Sequence, residues 1–352
     1  MNLHLEPIPK IEKVLVKNIQ KKLDNKTKPV GALGRIEEIA MQVALIQESL
    51  NPKLNRVCCV TIAADHDIVE EGVSCAPAEI TWQQMENFSR GGGAIGLFAK
   101  TNNVDLVLVD AGINHDIDPK CNIIDAKVRK GTRNFRHEQA MTPEEFEIAF
   151  NRGRKIVKEL NNKGCNTVCF GEMGIGNSTP ASALLSVYTK TEPSKCVGAG
   201  GGLKPEGIEI KKQVIEDAIK LHGYPEDPLE VLRRYGGLEI AMLTGGMYEA
   251  AMNRMLIIVD GYITSSAALA AYEIDNNIKD YFILSHASSE GGHKYMVEHL
   301  NLKPILNLDL RLGEGTGAVL AYPIIKTAVN MLTEMTSFEE AEVFNSSDLT
   351  RL

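Results

Sequence analysis

Five short apolar runs, each closed by a polar residue, constrain this sequence more than any other feature. Residues 57–64 end in Asp65-His66, 104–109 in Asp110, 167–170 in Gly171-Glu172, 255–259 in Asp260, and 281–284 in Ser285-His286. Runs of this length without alternation, interleaved with helical segments, suit strands covered on both faces. They predict an α/β fold: a mostly parallel Rossmann-like sheet in a three-layer α/β/α arrangement, plus a smaller helical domain. Such sheets bind ligands at the carboxyl ends of their strands, where Asp65, Asp110, Glu172, Asp260 and Ser285 would converge. A polar residue at a strand end also commonly caps the helix that follows, so the convergence of all five carries the argument.

The flanks read differently. Residues 1–50 predict the N-terminal helical part of a small domain: a basic, polar stretch from Lys17 to Lys28, a turn at Pro29 and Gly31, then Leu33, Ile36, Ile39, Ala40, Val43 and Ile46 at helical spacing. Residues 51–330 form the α/β catalytic domain. Residues 331–352 predict a C-terminal helical segment that joins the small domain, its acidic stretch Phe338-Glu339-Glu340-Ala341-Glu342-Val343-Phe344 being amphipathic.

The chain can bury a large core at 352 residues, and 38 Lys plus Arg against 46 Asp plus Glu argues against a nucleic-acid scaffold. Seven cysteines, four of them (Cys58, Cys59, Cys165, Cys169) in apolar runs, fit reduced thiols. The opening Met1-Asn2-Leu3-His4-Leu5-Glu6-Pro7 has neither a basic nor an apolar signal region, and no run approaches the roughly 18 apolar residues of a membrane span. A cytoplasmic protein without membrane or nucleic-acid partners is expected.

Leu306, Leu308, Leu310 and Leu312 alternate with Asn307, Asp309 and Arg311, predicting a strand that breaks at Gly313-Glu314-Gly315. Glu314 gains nothing there from propensity, and flanking Gly313 and Gly315 let a substrate approach it closely. That placement suits acid/base chemistry; the alternative is a solvated turn residue. Two glycine-rich loops offer anion sites. The loop from Gly171 to Pro180, with Gly174, Gly176, Asn177, Ser178 and Thr179, follows a strand and opens a helix, and Gly198-Ala199-Gly200-Gly201-Gly202-Leu203 supplies a second nest of amides. Neither completes a dinucleotide or P-loop fingerprint, which sets a nicotinamide-dependent oxidoreductase aside. Asp65-His66-Asp67 and the trio His286, Glu290, His293 hold ligand residue types without a zinc spacing, so no metal and no cofactor is expected; His286 reads as a hydrogen-bonding residue beside the site.

The ordered set of motifs resembles the nicotinate-nucleotide:dimethylbenzimidazole phosphoribosyltransferases of cobamide biosynthesis. The matching stretches are Lys28-Pro29-Val30-Gly31-Ala32-Leu33-Gly34-Arg35, Ala63-Ala64-Asp65-His66, Asp110-Ala111-Gly112-Ile113, Gly131-Thr132-Arg133-Asn134-Phe135, Gly171 to Pro180, Gly198 to Gly202, Val259-Asp260-Gly261, Ser285-His286 and Arg311 to Ala318.

The resemblance implies transfer of the phosphoribosyl group of nicotinate mononucleotide to 5,6-dimethylbenzimidazole with inversion at the sugar. Glu314 would be the general base. Glu172 and Asp260 would lie near the ribose and leaving group, with Ser288 and Lys212 in the same pocket. Gly174, Gly176, Asn177, Ser178, Thr179, Gly200, Gly201 and Gly202 would contact phosphate and ribose, and Gly313 and Gly315 would border the substrate. Ser74, Ala76, Pro77, Gln83 and Leu312 would form the acceptor pocket.

Members of the family commonly read Ser-Ala-Tyr-Pro-Gln where this chain reads Ser74-Cys75-Ala76-Pro77-Ala78. The loss of an aromatic at Ala76 reshapes that wall and raises alternatives: a subunit that activates phenol or p-cresol through oxygen, or a weakly catalytic partner subunit. A homodimer, or a heterodimer with a related chain, is expected by the same resemblance.

Overall fold

Each of the five apolar runs becomes a strand, because continuous apolar residues suit burial on both faces of a sheet; the one charge among them, Asp105, lies at the exposed start of its strand. A computed structural model describes residues 3–345. In chain order, α1 (Val16–Asp24) and α2 (Arg35–Ile46) precede β1 (Val57–Ala64), a 3-10 turn at Asp67–Glu71, α3 (Ile80–Ser89) and α4 (Gly93–Thr101). Then come β2 (Asp105–Gly112), β3 (Ile123–Asp125), α5 (Pro143–Asn162), β4 (Thr167–Met173), α6 (Ser178–Thr189), α7 (Pro193–Cys196), α8 (Pro205–His222), α9 (Pro228–Tyr235) and α10 (Leu238–Met252). The chain closes with β5 (Leu256–Val259), α11 (Tyr262–Ile274), β6 (Phe282–Leu284), α12 (His293–Leu300) and α13 (Thr316–Glu334).

The sheet runs β3-β2-β1-β4-β5-β6, and every pairing is parallel. All eight residues of β1 are buried, as a central strand between two helical layers requires. Helices α10 and α11, backed by α5 and α6, cover one face; α3, α4 and α13, with α2 behind α13, cover the other. The strand order reverses between β1 and β4, and a ligand crevice belongs at the carboxyl ends of those two strands. Asp65 and Gly174 stand on either side of it.

The N-terminal helices bury Ile19, Leu23, Ile39 and Val43 in the same core as β1 and α13. Leu33 does not join them; it lies ahead of α2 and is 39% exposed. β3 is a strand that the periodicity did not reveal, since it pairs over only Ile123 to Asp125 along the outer edge of β2.

Two expectations are corrected. Residues 306–312 form no strand: only Leu306 pairs, with His286, while Asp309 turns to a left-handed φ of 54° and Leu308 and Leu312 are exposed. The segment meets the outer edge of the sheet only at Ile305 and Leu306, whose amides donate to Leu284 O and Ser285 O, and then departs from it, leaving one further backbone bond, Ser289 N to Leu310 O. The C-terminal segment is not a separate helix beginning at 331, which lies inside α13. Beyond Glu334 the described residues turn: Phe338 N donates to Asn25 O, Thr27 N donates to Thr336 O, and Ser337 and Glu340 satisfy one another. The remaining amides close local turns, Ala341 N to Ser337 O, Glu342 N to Glu339 O and Val343 N to Phe338 O, without extending into a helix; residues 346–352 of the expected helix lie outside the described residues.

Helices α5 and α10 cross with their backbones almost touching. A Cβ on Gly153 would stand 1.9 Å from Met242 O, and one on Gly245 2.1 Å from Phe150 O. Gly153→Ala must spread the two backbones, so its stability should fall by about 1–3 kcal/mol, read as a lower denaturant midpoint at unchanged slope.

Candidate active site

The chain enters α13 by crossing over the middle of the sheet. Gly313, Glu314 and Gly315 all adopt positive φ, 89°, 65° and 93°, a conformation that costs a non-glycine residue about 1–3 kcal/mol unless its surroundings hold it. Here they do. Thr61 Oγ1, on β1, donates to Glu314 O at 2.8 Å. Gly171, on β4, lies so close beneath that a Cβ there would stand 2.3 Å from the same oxygen. The backbone of Glu314 thus rests directly on the two strands at the reversal point.

The side chain of Glu314 is 6% exposed, and its Oε2 accepts from Ile95 N at 3.3 Å in the first turn of α4. Burial pushes this carboxyl up to about 7, the negative Asp260 adds to the rise, and the Ile95 amide opposes it. A carboxyl near neutrality suits general-base work.

Asp260, at the end of β5, is fully buried and acts on the loop. Its Oδ2 accepts from Gly315 N at 3.0 Å and its Oδ1 from Ala318 N at 3.1 Å, so it caps α13 and favours the positive end of that helix. His286 lies 3.8 Å from Oδ1 through Nδ1, which also meets Ser285 Oγ at 2.9 Å. Burial raises Asp260, whereas His286 and the amides oppose the rise.

Glu172 ends β4 on the other side of the same loop. Its Oε2 accepts from Asn177 Nδ2, and its Oε1 lies where a Cβ on Gly313 would be, 2.4 Å away. Burial pushes Glu172 up to about 8, and the charges of Glu239, Asp260 and Glu314 add to it while Asn177 opposes. Near neutral pH Glu172 is therefore a hydrogen-bond donor as well as an acceptor.

The two glycine loops meet at Ser178. A Cβ on Gly200 would lie 2.9 Å from Ser178 Oγ, and Lys211 Nζ donates to that oxygen at 2.9 Å and to Gly198 O at 3.4 Å. Lys211 is 1% exposed; burial lowers it to about 8, with Glu290 opposing. Ser178 opens α6, and its hydroxyl and the Lys211 ammonium face one place, a cradle for an anion; the amides of Asn177 and Thr179 are already given to Gly174 O and Gly176 O.

The lysine expected in the pocket is corrected by this geometry. Lys212 points outward from α8 and pairs with Glu209 at 2.6 Å, because adjacent helical residues point about 100° apart and Lys211 takes the inward position. Asp260 likewise binds the loop amides rather than facing open space. Ser288 is half-buried; its amide donates to His293 Nδ1, and its Oγ lies 3.9 Å from where a Cβ on Gly261 would be.

Ser74, Ala76 and Pro77 stand on an open loop joined to the second glycine loop by Cys75 Sγ and Gly201 O at 3.6 Å. Gln83 on α3 and Leu312 are exposed, Leu312 by 58%. These residues form a rim, and Gly201 and Gly202 are exposed beside them.

The expectations above contained neither Lys211 nor Glu239. Glu239 lies in the first turn of α10 and is 0% exposed, with Oε1 2.7 Å from His66 Nε2. A charge at the start of a mostly apolar helix after Gly236-Gly237 was the signal available, though the same helix holds a second buried carboxylate, Glu249, which pairs with Arg154. Among the described residues no group of three or more His, Cys, Asp or Glu is placed to hold a metal ion, and no helix is long and apolar enough to cross a membrane.

A family model described as phosphoribosyltransferase matches residues 8–343. A nicotinate-nucleotide–dimethylbenzimidazole phosphoribosyltransferase from Janthinobacterium sp. (strain Marseille) is 45% identical, covering 91% of this chain and 93% of its own. One of the same name from Phocaeicola vulgatus is 42% identical over 97% and 98%. The crystal structure of CobT from Thermus thermophilus superposes with a TM-score of 0.91 at 37% identity, covering 94% of this chain and 99% of that one.

Asp260→Asn keeps the shape but turns an amide donor toward one of two buried N–H groups. It should cost about 1–3 kcal/mol of stability, measured by chemical denaturation; an unchanged midpoint would mean that Asp260 does not hold the loop.

Proposed function

The chain belongs to the phosphoribosyltransferase family whose named relatives act on nicotinate nucleotide and dimethylbenzimidazole, and from that premise we propose how its site works. The chain is a pentosyltransferase of cobamide nucleotide-loop assembly. It moves the 5-phosphoribosyl group of nicotinate mononucleotide to a ring nitrogen of 5,6-dimethylbenzimidazole or a related base, giving the α-riboside phosphate and nicotinate.

The observation that carries the assignment of roles is the placement of Glu314, buried, lifted to about 7 and held at the reversal point of the sheet. Nicotinate leaves as a pyridine from a positively charged pyridinium, so its departure needs no proton from an acid. The site must anchor the phosphate, tolerate positive charge developing on the ribose, and accept a proton from the incoming nucleophile. Glu314 accepts that proton. Lys211 and Ser178 hold the phosphate. Glu172, kept neutral by its surroundings, hydrogen-bonds the sugar without repelling an anionic donor.

The relatives' names support the benzimidazole acceptor and not the phenolic alternative. The working assembly is a pair of chains, identical or related; Leu308 and Leu312, exposed beside Glu314, offer a surface on which a partner would close the rim.

Product analysis by mass spectrometry, with nicotinate mononucleotide and an equimolar mixture of 5,6-dimethylbenzimidazole, phenol and p-cresol, tests the reaction. The riboside phosphate of the benzimidazole is expected, and phenolic products would overturn the acceptor assignment. Glu314→Gln should cut turnover by about 10²- to 10⁴-fold. For the unaltered protein, kcat/KM should rise with pH as Glu314 loses its proton near 7 and fall as Glu172 ionises near 8, the two limbs belonging to a coupled pair. A profile flat from about pH 6 to about pH 9 would contradict both roles, since each limb reports an essential ionisation. Lys211→Ala should weaken donor binding about tenfold or more, the loss of a charged hydrogen bond, while Lys212→Ala leaves calorimetric affinity unchanged.

A further inference from the structure

His66 follows β1 and Glu239 opens α10, 173 positions apart, and both are buried in direct contact at 2.7 Å. Replacing such a pair by apolar groups is often neutral or stabilising, so stability alone is a weak reason for it to be there. Its location offers a better one. The Gly174–Asn177 turn lies against it: a Cβ on Gly174 would stand 3.5 Å from Glu239 Oε1 and 3.1 Å from Asn177 Nδ2, and one on Gly176 would lie 3.7 Å from His66 Cβ. Asn177 Nδ2 in turn donates to Glu172 Oε2.

The pair is itself fixed from three directions. His66 bridges to Thr132 in the backbone, and Thr132 Oγ1 accepts from Leu238 N at the start of α10. A Cβ on Gly237 would meet His66 Cε1 at 2.4 Å and Glu239 Oε2 at 2.7 Å, so the imidazole and carboxylate fill that space completely. Burial opposes a charge on His66, but Glu239, then Asp65 and Asp67, raise it above the ordinary histidine range. Toward the site, Glu239 faces Glu172 and contributes to its rise.

We propose that His66 and Glu239 form a positioning pair for the donor half of the site: they support the Gly174–Asn177 turn from below and thereby fix Asn177 and the carboxyl of Glu172. Neither residue touches the substrate. The proposal rests on the assignment of this turn to the phosphoribosyl donor. Disturbing the pair therefore affects donor binding and leaves the acceptor, whose expected pocket residues the pair does not contact, alone.

The test is calorimetric binding of nicotinate mononucleotide to the full chain and to Glu239→Gln, His66→Gln and the double variant, with KM for 5,6-dimethylbenzimidazole measured alongside. Each single change should weaken donor binding on the order of tenfold to hundredfold, the cost of a misplaced site group. The double variant should bind no worse than the weaker single one, as expected of coupled residues, and acceptor KM should not move. Glu239→Asp, which retains the charge but falls one methylene short, should resemble Glu239→Gln.

Unaltered donor affinity in Glu239→Gln, or an equal rise in acceptor KM, would overturn the pair's role while leaving the donor assignment intact. If the unaltered protein fails to bind the mononucleotide, both fall together. Should the variants not fold, imidazole NMR of the unaltered protein decides. The ring that keeps its proton above the ordinary histidine range should shift on adding the mononucleotide and not on adding the benzimidazole; a ring that does not move overturns the proposal.

Discussion

The crossing of the Gly313–Gly315 loop over β1 and β4 is the constraint on which the site depends. A backbone carbonyl can lie this close to a sheet only where a strand residue lacks a side chain, and Gly171 supplies that opening. The left-handed turn at Glu314 is then held by the Thr61 hydroxyl on one side and by Asp260, through the amides of Gly315 and Ala318, on the other. Once the loop is fixed, the side chain of Glu314 reaches the first turn of α4, where burial lifts its carboxyl toward neutrality. The position of the Glu314 carboxyl and its proton affinity therefore have one structural cause.

Around that loop the protein concentrates carboxylates and leaves few cations to match them. Glu172, Glu239, Asp260 and Glu314 act on one another through poorly solvated surroundings, and the balance differs at each. Asp260 is surrounded by amides and His286, Glu239 contacts His66, and Glu172 is met by the side-chain amide of Asn177. Burial raises Glu172 to about 8, and three neighbouring carboxylates add to the rise against a single neutral amide. Burial with little compensation thus sets the proton affinities of Glu172 and Glu314, while Lys211 stands at the Ser178 hydroxyl, in the anion cradle.

The sheet was legible because a parallel strand buried on both faces must be continuously apolar, and residues 57–64 coincide with β1. The polar strand ends, the two glycine loops and Glu314 were legible for a related reason: they interrupt that apolar pattern at regular points. What failed was inference from pattern without partners. The alternating leucines of 306–312 touch the sheet edge only at Leu306 before the chain turns away at Asp309, and the acidic C-terminal stretch closes into turns on itself that are tied to Asn25 and Thr27. Lys211 and Lys212 could not be told apart by type, since only the facing of α8 decides which is inside. The charge of Glu239 stood out, but its partnership did not, His66 being 173 positions away.

That distance in sequence has a temporal consequence. The hydroxyl of Thr61 and the carbonyl it holds are separated by 253 residues, and Asp260 meets the loop only after β5 has entered the sheet. Contacts so far apart close long loops and form late. During synthesis nearly the whole chain must therefore have left the ribosome before Glu314 can settle over the strands.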